Sequence, residues 1–187
     1  MTSSSSSDVA APVPVRLIRG IENSATATAV AHIAGRVTRP LGVATAPGSS
    51  LGAVARGEPL GHALHPILVD LPLGCWTSAS MLDLFGGTRA RPAAEGLVAV
   101  GVVAAVPTVL TGWVEWQGLR DVDRRVGVVH ALGNAVGVTC YVASLRARRA
   151  DRHGAGVALA LAGAALTAGA GFLGGHLALN RAAGKRI

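Results

Sequence analysis

Six side chains able to bind a metal or move a proton stand at the ends of apolar runs. The stretch "GHALHPILVDLP" holds His62, His65 and Asp70, and "GWVEW" holds Glu115. "VGVVHALGN" holds His130 and Asn134, and "GGHLALN" holds His176 and Asn180. Imidazole ligates haem iron and transition-metal ions. Imidazole beside a carboxylate can also pass a proton. An ionisable group within a membrane segment costs a few kcal/mol on insertion scales, so its presence marks a function.

The elements that must position these groups are four apolar runs, at about 66–85, 93–114, 126–145 and 155–179. Each is near the roughly 20 residues that span a bilayer core. The second and fourth lack the polar face a soluble bundle needs. Pro66 suits a helix start. Short connections make neighbours antiparallel. The chain therefore reads as all-α, an integral membrane four-helix bundle over residues 60–182, with both termini on the same side. "GNAVG" and "GFLGG" are GxxxG pairs, which permit close helix approach.

In that arrangement one end of the bundle collects the polar groups. His65 stands at the entrance of the first helix, with His62 one turn earlier. His130 and His176 lie roughly 5–8 Å inside the same end, and Asp70 shares their layer. Glu115 and Thr111 flank it from the second helix. His130 and His176, on adjacent helices, make the expected axial pair of a haem b. With His65 and His62 they make the expected ligand set of a transition metal ion. Asp70, Glu115 and Asn134 support the site. Gly127, Gly133, Gly174 and Gly175 would leave room for a macrocycle, and Arg120, Arg124, Arg125 and Arg181 would meet its propionates. The opposite end offers only His153, Asp83 and Glu95.

Two other readings use the same residues. In one, Asp70 with His65 and His130 forms the relay of a small proton-coupled transporter or channel. The polar path beyond the histidine layer is sparse: Thr77, Ser78, Ser80, Thr108 and Thr139. In the other, the groups bond one another and seal the end of a structural membrane subunit with no cofactor. No GxSxG occurs, and Ser78 and Ser80 lie far from the histidines, so no nucleophilic enzyme is expected. Trp113 and Trp116 read as interfacial belt residues, and Trp76 as a packing residue. Cys75 and Cys140 read as small buried hydrophobes without CxxC or zinc spacing.

Composition agrees with the membrane. Half of the 187 residues are hydrophobic and only 14% are charged, against about 25% in soluble domains. The net charge of +7 is not a nucleic-acid footprint, because the arginines cluster between apolar runs as the flanks of membrane helices do. Residues 1–15, with a serine run and alternating prolines, read as a disordered tail without the pattern of a signal peptide. Residues 16–39 place Ile21, Ala25, Ala29, Ile33 and Val37 on one face of a surface helix. Residues 40–60 read as linker, and residues 183–187 as a basic tail. Basic residues flank both ends nearly equally. The expected setting is a bacterial cytoplasmic membrane, multi-pass, with both termini cytoplasmic.

"GHALHPILVDLPLGCW", "GWVEW", "VGVVHALGN" and "GGHLA" together resemble a bacterial, often actinobacterial, membrane-protein family. It is known as the domain of unknown function two-two-three-one, and the likeness covers about residues 58–182. The resemblance implies four membrane helices. Because some members are fused to Rieske-type iron–sulfur domains, it also implies electron transfer. This chain lacks the Cys/His pairs of a Rieske segment, so the implied redox partner is a separate protein.

Overall fold

The computed structural model describes residues 12–181, so most of the serine-rich start and the basic tail at 183–187 lie outside the described residues. The described chain is helical throughout, with no strand. Four helices are long and apolar enough to cross a membrane. They are α5 (Leu64–Phe85), α6 (Arg91–Gln117), α7 (Asp121–Arg149) and α8 (His153–Gly175). A π turn, His176–Asn180, prolongs α8. Helices α6 and α7 extend beyond their apolar runs at both ends, because polar and charged residues there add turns that apolarity does not register, whereas α5 and α8 each only start two residues earlier. The helices pack as a ring, α5–α6, α6–α7, α7–α8 and α8–α5, which leaves α5 and α7 facing each other diagonally.

The region before the bundle is more ordered than its composition suggests. Helix α1 (Val13–Glu22) takes Val13, Pro14 and Val15 from the expected tail, with Pro14 in its first turn. Helix α2 (Ala25–Val37) starts at Ser24, whose hydroxyl accepts the Ala27 N–H at 3.1 Å. Its Ala27 and Ala31 are buried, Ala31 against Trp116 and Val128. Ile33 and Val37 of the expected apolar stripe face outward. The expected linker contains α3 (Arg39–Ala44), α4 (Ser50–Arg56) and a 3-10 turn, Glu58–Leu60. Alanine, leucine and valine between its glycines suffice for short helices once the bundle supports them. Gly57 closes α4 at φ +77°, where a Cβ would strike the His62 carbonyl.

Both prolines of "GHALHPILVDLP" have structural roles. Pro66 falls in the first turn of α5, where its missing N–H costs nothing. Pro72 lies within the helix and cannot bond the Leu68 carbonyl four residues earlier. The Thr108 hydroxyl of α6 donates to that carbonyl at 3.1 Å. A neighbouring helix thus satisfies the freed backbone group, as a bilayer demands.

The bundle has an internal repeat. His65 and His130, Cys75 and Cys140, Trp76 and Tyr141, and Asp83 and Arg148 are separated by one and the same chain length. Three of these pairs touch across the centre. The His65 and His130 rings meet edge to face, centroids 6.5 Å apart. Trp76 stacks on Tyr141 at 3.9 Å. Asp83 and Arg148 form an ion pair. Equivalent residues that contact one another lie on a two-fold axis. The α5–α6 and α7–α8 hairpins are therefore approximately two-fold related. Both begin at the same end, so the axis runs along the bundle. Glycines of the second helix in each hairpin let the axial side chains in. A Cβ at Gly101 would strike Trp76 and one at Gly163 would strike Tyr141.

The two GxxxG pairs differ in use. A Cβ at Gly137 would lie 2.6 Å from Thr167 Cγ2, whereas one at Gly171 or Gly175 meets nothing within 4 Å. Gly137→Ala is expected to cost about 1–3 kcal/mol by overpacking α7 on α8. Gly171→Ala is expected to stay within about 0.5 kcal/mol of the parent. Unfolding of both variants in detergent checks this, and equal losses would contradict the assignment.

Candidate two-histidine centre

The residues His65 and His130 come together because each hairpin delivers one imidazole to the axis at the same end. His65 is in the first turn of α5, and its Nδ1 donates to the Thr108 carbonyl of α6 at 2.9 Å. His130 is in α7, and its Nδ1 donates to the Ala170 carbonyl of α8 at 2.7 Å. A carbonyl only accepts, so Nδ1 carries the proton and Nε2 the lone pair in each neutral ring. Asn134, one turn after His130, lies over that ring: its Nδ2 is 3.2 Å from Nε2 and 3.4 Å from Nδ1, and it donates to the His130 carbonyl at 3.1 Å. Each ring rests on a glycine. A Cβ at Gly112 would lie 2.6 Å from His65 Cε1, and one at Gly174 would lie 2.8 Å from His130 Cε1. In both cases the glycine follows the accepting carbonyl residue by four, one turn along the same face.

Glu115 follows Gly112 by three residues and shares the face toward His65. Its carboxylate stands beside the backbone N–H of His65, one of the unpaired donors at the start of α5. Its Oε1 is buried without a hydrogen-bond partner among the described residues.

The other expected site residues lie elsewhere. His176 is two positions beyond Gly174, roughly 200° around α8. It turns away from His130 toward α1, with Nε2 3.7 Å from Glu22 Oε1. The residue beside His130 is thus His65, and the expected partner His176 is not brought to it. Asp70 is five residues past His65, roughly 140° around α5, and lies on the exposed face. His62 is exposed ahead of the helix. Among the described residues no group of three or more His, Cys, Asp or Glu side chains could hold a metal ion.

The surrounding arginines and glycines also serve other contacts than expected. The Arg124 guanidinium lies 4.1 Å from the centre of the Trp116 ring, a cation–π contact. Arg181 pairs with Glu22, which fastens the N-terminal region to the bundle. Trp116 is buried, and its Nε1 donates to the Arg124 carbonyl at 3.0 Å. Gly127 is filled by Trp116, while Ala170 closes on Gly133.

At the opposite end the structure reveals a group that the expected site leaves out. Asp83 and Arg148 are both 1% exposed and joined by two bonds, Nη1–Oδ1 at 2.9 Å and Nη2–Oδ2 at 2.5 Å. Arg148 Nε donates to Ser144 Oγ, which donates to the Gly156 carbonyl. The repeat is the available signal: Asp83 and Arg148 occupy equivalent positions.

Residues 61–186 match the family model described as Predicted membrane protein (DUF2231). The comparisons with curated proteins and with solved structures find no match.

Proposed function

The chain belongs to the DUF2231 family of predicted membrane proteins, and from that premise we propose that it is a membrane redox module whose centre is the pair His65 and His130. The observation that carries this reading is a pair of imidazoles that meet across the bundle, each held by a backbone carbonyl in the tautomer that puts the lone pair on Nε2. A metal ion held by protein alone asks for three or four ligands. Two histidines fit a haem b, whose macrocycle supplies the rest. The rings meet with centroids 6.5 Å apart and planes at 89°, which puts both imidazoles within reach of one place between α5 and α7.

A bound haem would supply one-electron exchange. The protein's own contribution is orientation. Thr108 and Ala170 fix the ring tautomers, Gly112 and Gly174 fix the ring positions, and the Asn134 amide, held on the His130 carbonyl, would have to swing off the His130 ring for Nε2 to bind iron. Glu115 places a carboxylate near the same end, where it tunes the local charge. Electrons would leave to a separate redox protein. The proposed setting is a bacterial cytoplasmic membrane with both termini on the cytoplasmic side.

The test is spectroscopic. Protein purified in mild detergent from haem-replete cells is expected to show a reduced-minus-oxidised difference spectrum of b type, with about one iron per chain. A colourless and metal-free preparation would overturn the reading.

A further inference from the structure

A second feature lies on the far side of the α8 turn that carries Gly174. A cavity of about 590 Å³ opens between α1 and the π turn of α8, within the usual range for small-molecule sites. Val15, Ile18, Phe172 and Leu179 give it apolar walls, and Glu22 and His176 face each other within it. Phe172 and Leu179 are 53% and 80% exposed, so the mouth is open to an apolar ligand. A Cβ at Gly175 meets nothing within 4 Å, so this glycine keeps space open. π turns themselves recur at functional sites.

The polar pair sets the ligand's chemistry. Asn180 Nδ2 donates to His176 Nδ1 at 3.3 Å, which puts the proton on Nε2, the reverse of His65 and His130. That Nε2 is buried without a hydrogen-bond partner among the described residues. At 3.7 Å it is too far from Glu22 Oε1 for a hydrogen bond. Glu22 Oε1 also accepts from Arg181, and a small turn of the covered His176 ring toward the cleft would let one ligand oxygen reach both. A carbonyl oxygen would accept from His176 Nε2–H, and a hydroxyl would donate to the Glu22 carboxylate. We propose that this cleft binds a membrane-soluble quinone or its hydroquinone, with a ring oxygen between His176 and Glu22 and the apolar tail passing Phe172 and Leu179. The proposal deepens the redox reading, on which its physiological meaning rests. Gly174 holds the His130 ring while Gly175 and His176 line the cleft, so about one helix width, roughly 10 Å, separates the two sites. Arg19 and Arg181 also border the cleft, which makes a phospholipid headgroup the competing occupant.

The full chain in phosphatidylcholine nanodiscs is labelled with a photoreactive azido-benzoquinone and mapped by mass spectrometry. Label is expected within residues 172–181 or 13–22, displaced by excess decyl-benzoquinone. Gly175→Leu, which fills the cleft, is expected to lower labelling at least tenfold. His176→Ala is expected to do the same, which guards against misfolding of the first variant. His65→Ala is expected to keep full labelling, so failure of the haem reading leaves this test intact. Labelling that maps elsewhere or survives both cleft variants would overturn the proposal. Displacement by phosphatidylglycerol as strong as by the benzoquinone would assign the cleft to lipid instead.

Discussion

Arg148→Met is expected to destabilise the bundle by about 3–5 kcal/mol, the usual loss when one member of a buried ion pair is removed. The Asp83 carboxylate is 1% exposed and receives both guanidinium nitrogens. Without Arg148 it would keep, among the described residues, the distant His153 Nε2 at 3.9 Å. An uncompensated carboxylate in an apolar bundle end costs far more than the lost contact itself. Asp83→Asn is expected to act in the same direction. The double variant Asp83→Leu with Arg148→Met should recover most of the loss, since an apolar pair has no charge to strand. A double-mutant cycle by unfolding in detergent measures the coupling. If Arg148→Met unfolded within about 0.5 kcal/mol of the parent, the pair would not be what ties α5 to α7.

His65→Ala and His130→Ala are each expected to abolish the b-type spectrum, whereas His62→Ala and His176→Ala are expected to retain it. The contrast follows from geometry. His65 and His130 meet on the axis with their protons on Nδ1 and their lone pairs on Nε2, while His62 is exposed and His176 turns toward Glu22. Removing either axial imidazole leaves one ligand, with no neighbouring histidine in place to substitute. Unfolding of each variant should accompany the spectra, because both rings also tie helices together through backbone carbonyls. A spectrum that persists in His65→Ala but vanishes in His176→Ala would restore the pair expected from depth alone.

The pair His130 and His176 fails on rotation, not on depth. Sequence gives depth along a membrane helix, because apolar runs and their charged ends set the register. It gives rotation poorly when a helix is apolar all round, as α8 is. His176 has the right depth and the wrong azimuth. Asp70 fails for the same reason on α5. The Arg148–Asp83 pair escapes notice because an arginine after an apolar run reads as a positive flank. The spacing His, nine residues, Cys, aromatic occurs at both His65 and His130. Read as an internal repeat, it points to the axial partners without coordinates.

The N-terminal region shows the opposite limit. Its alanines and glycines carry too little pattern to predict docking, yet Ala27 and Ala31 are buried and α2 lies close on Trp116 and Val128. Composition and periodicity alone determined the membrane setting and the four spans. Those properties depend on transfer of apolar length into a bilayer, which is written along the chain. Only the tertiary structure decided which imidazoles meet, which proton each ring carries and which charges pair. Those depend on helix rotation and on the partner across the axis, set by small residues whose effect is felt only when two helices touch.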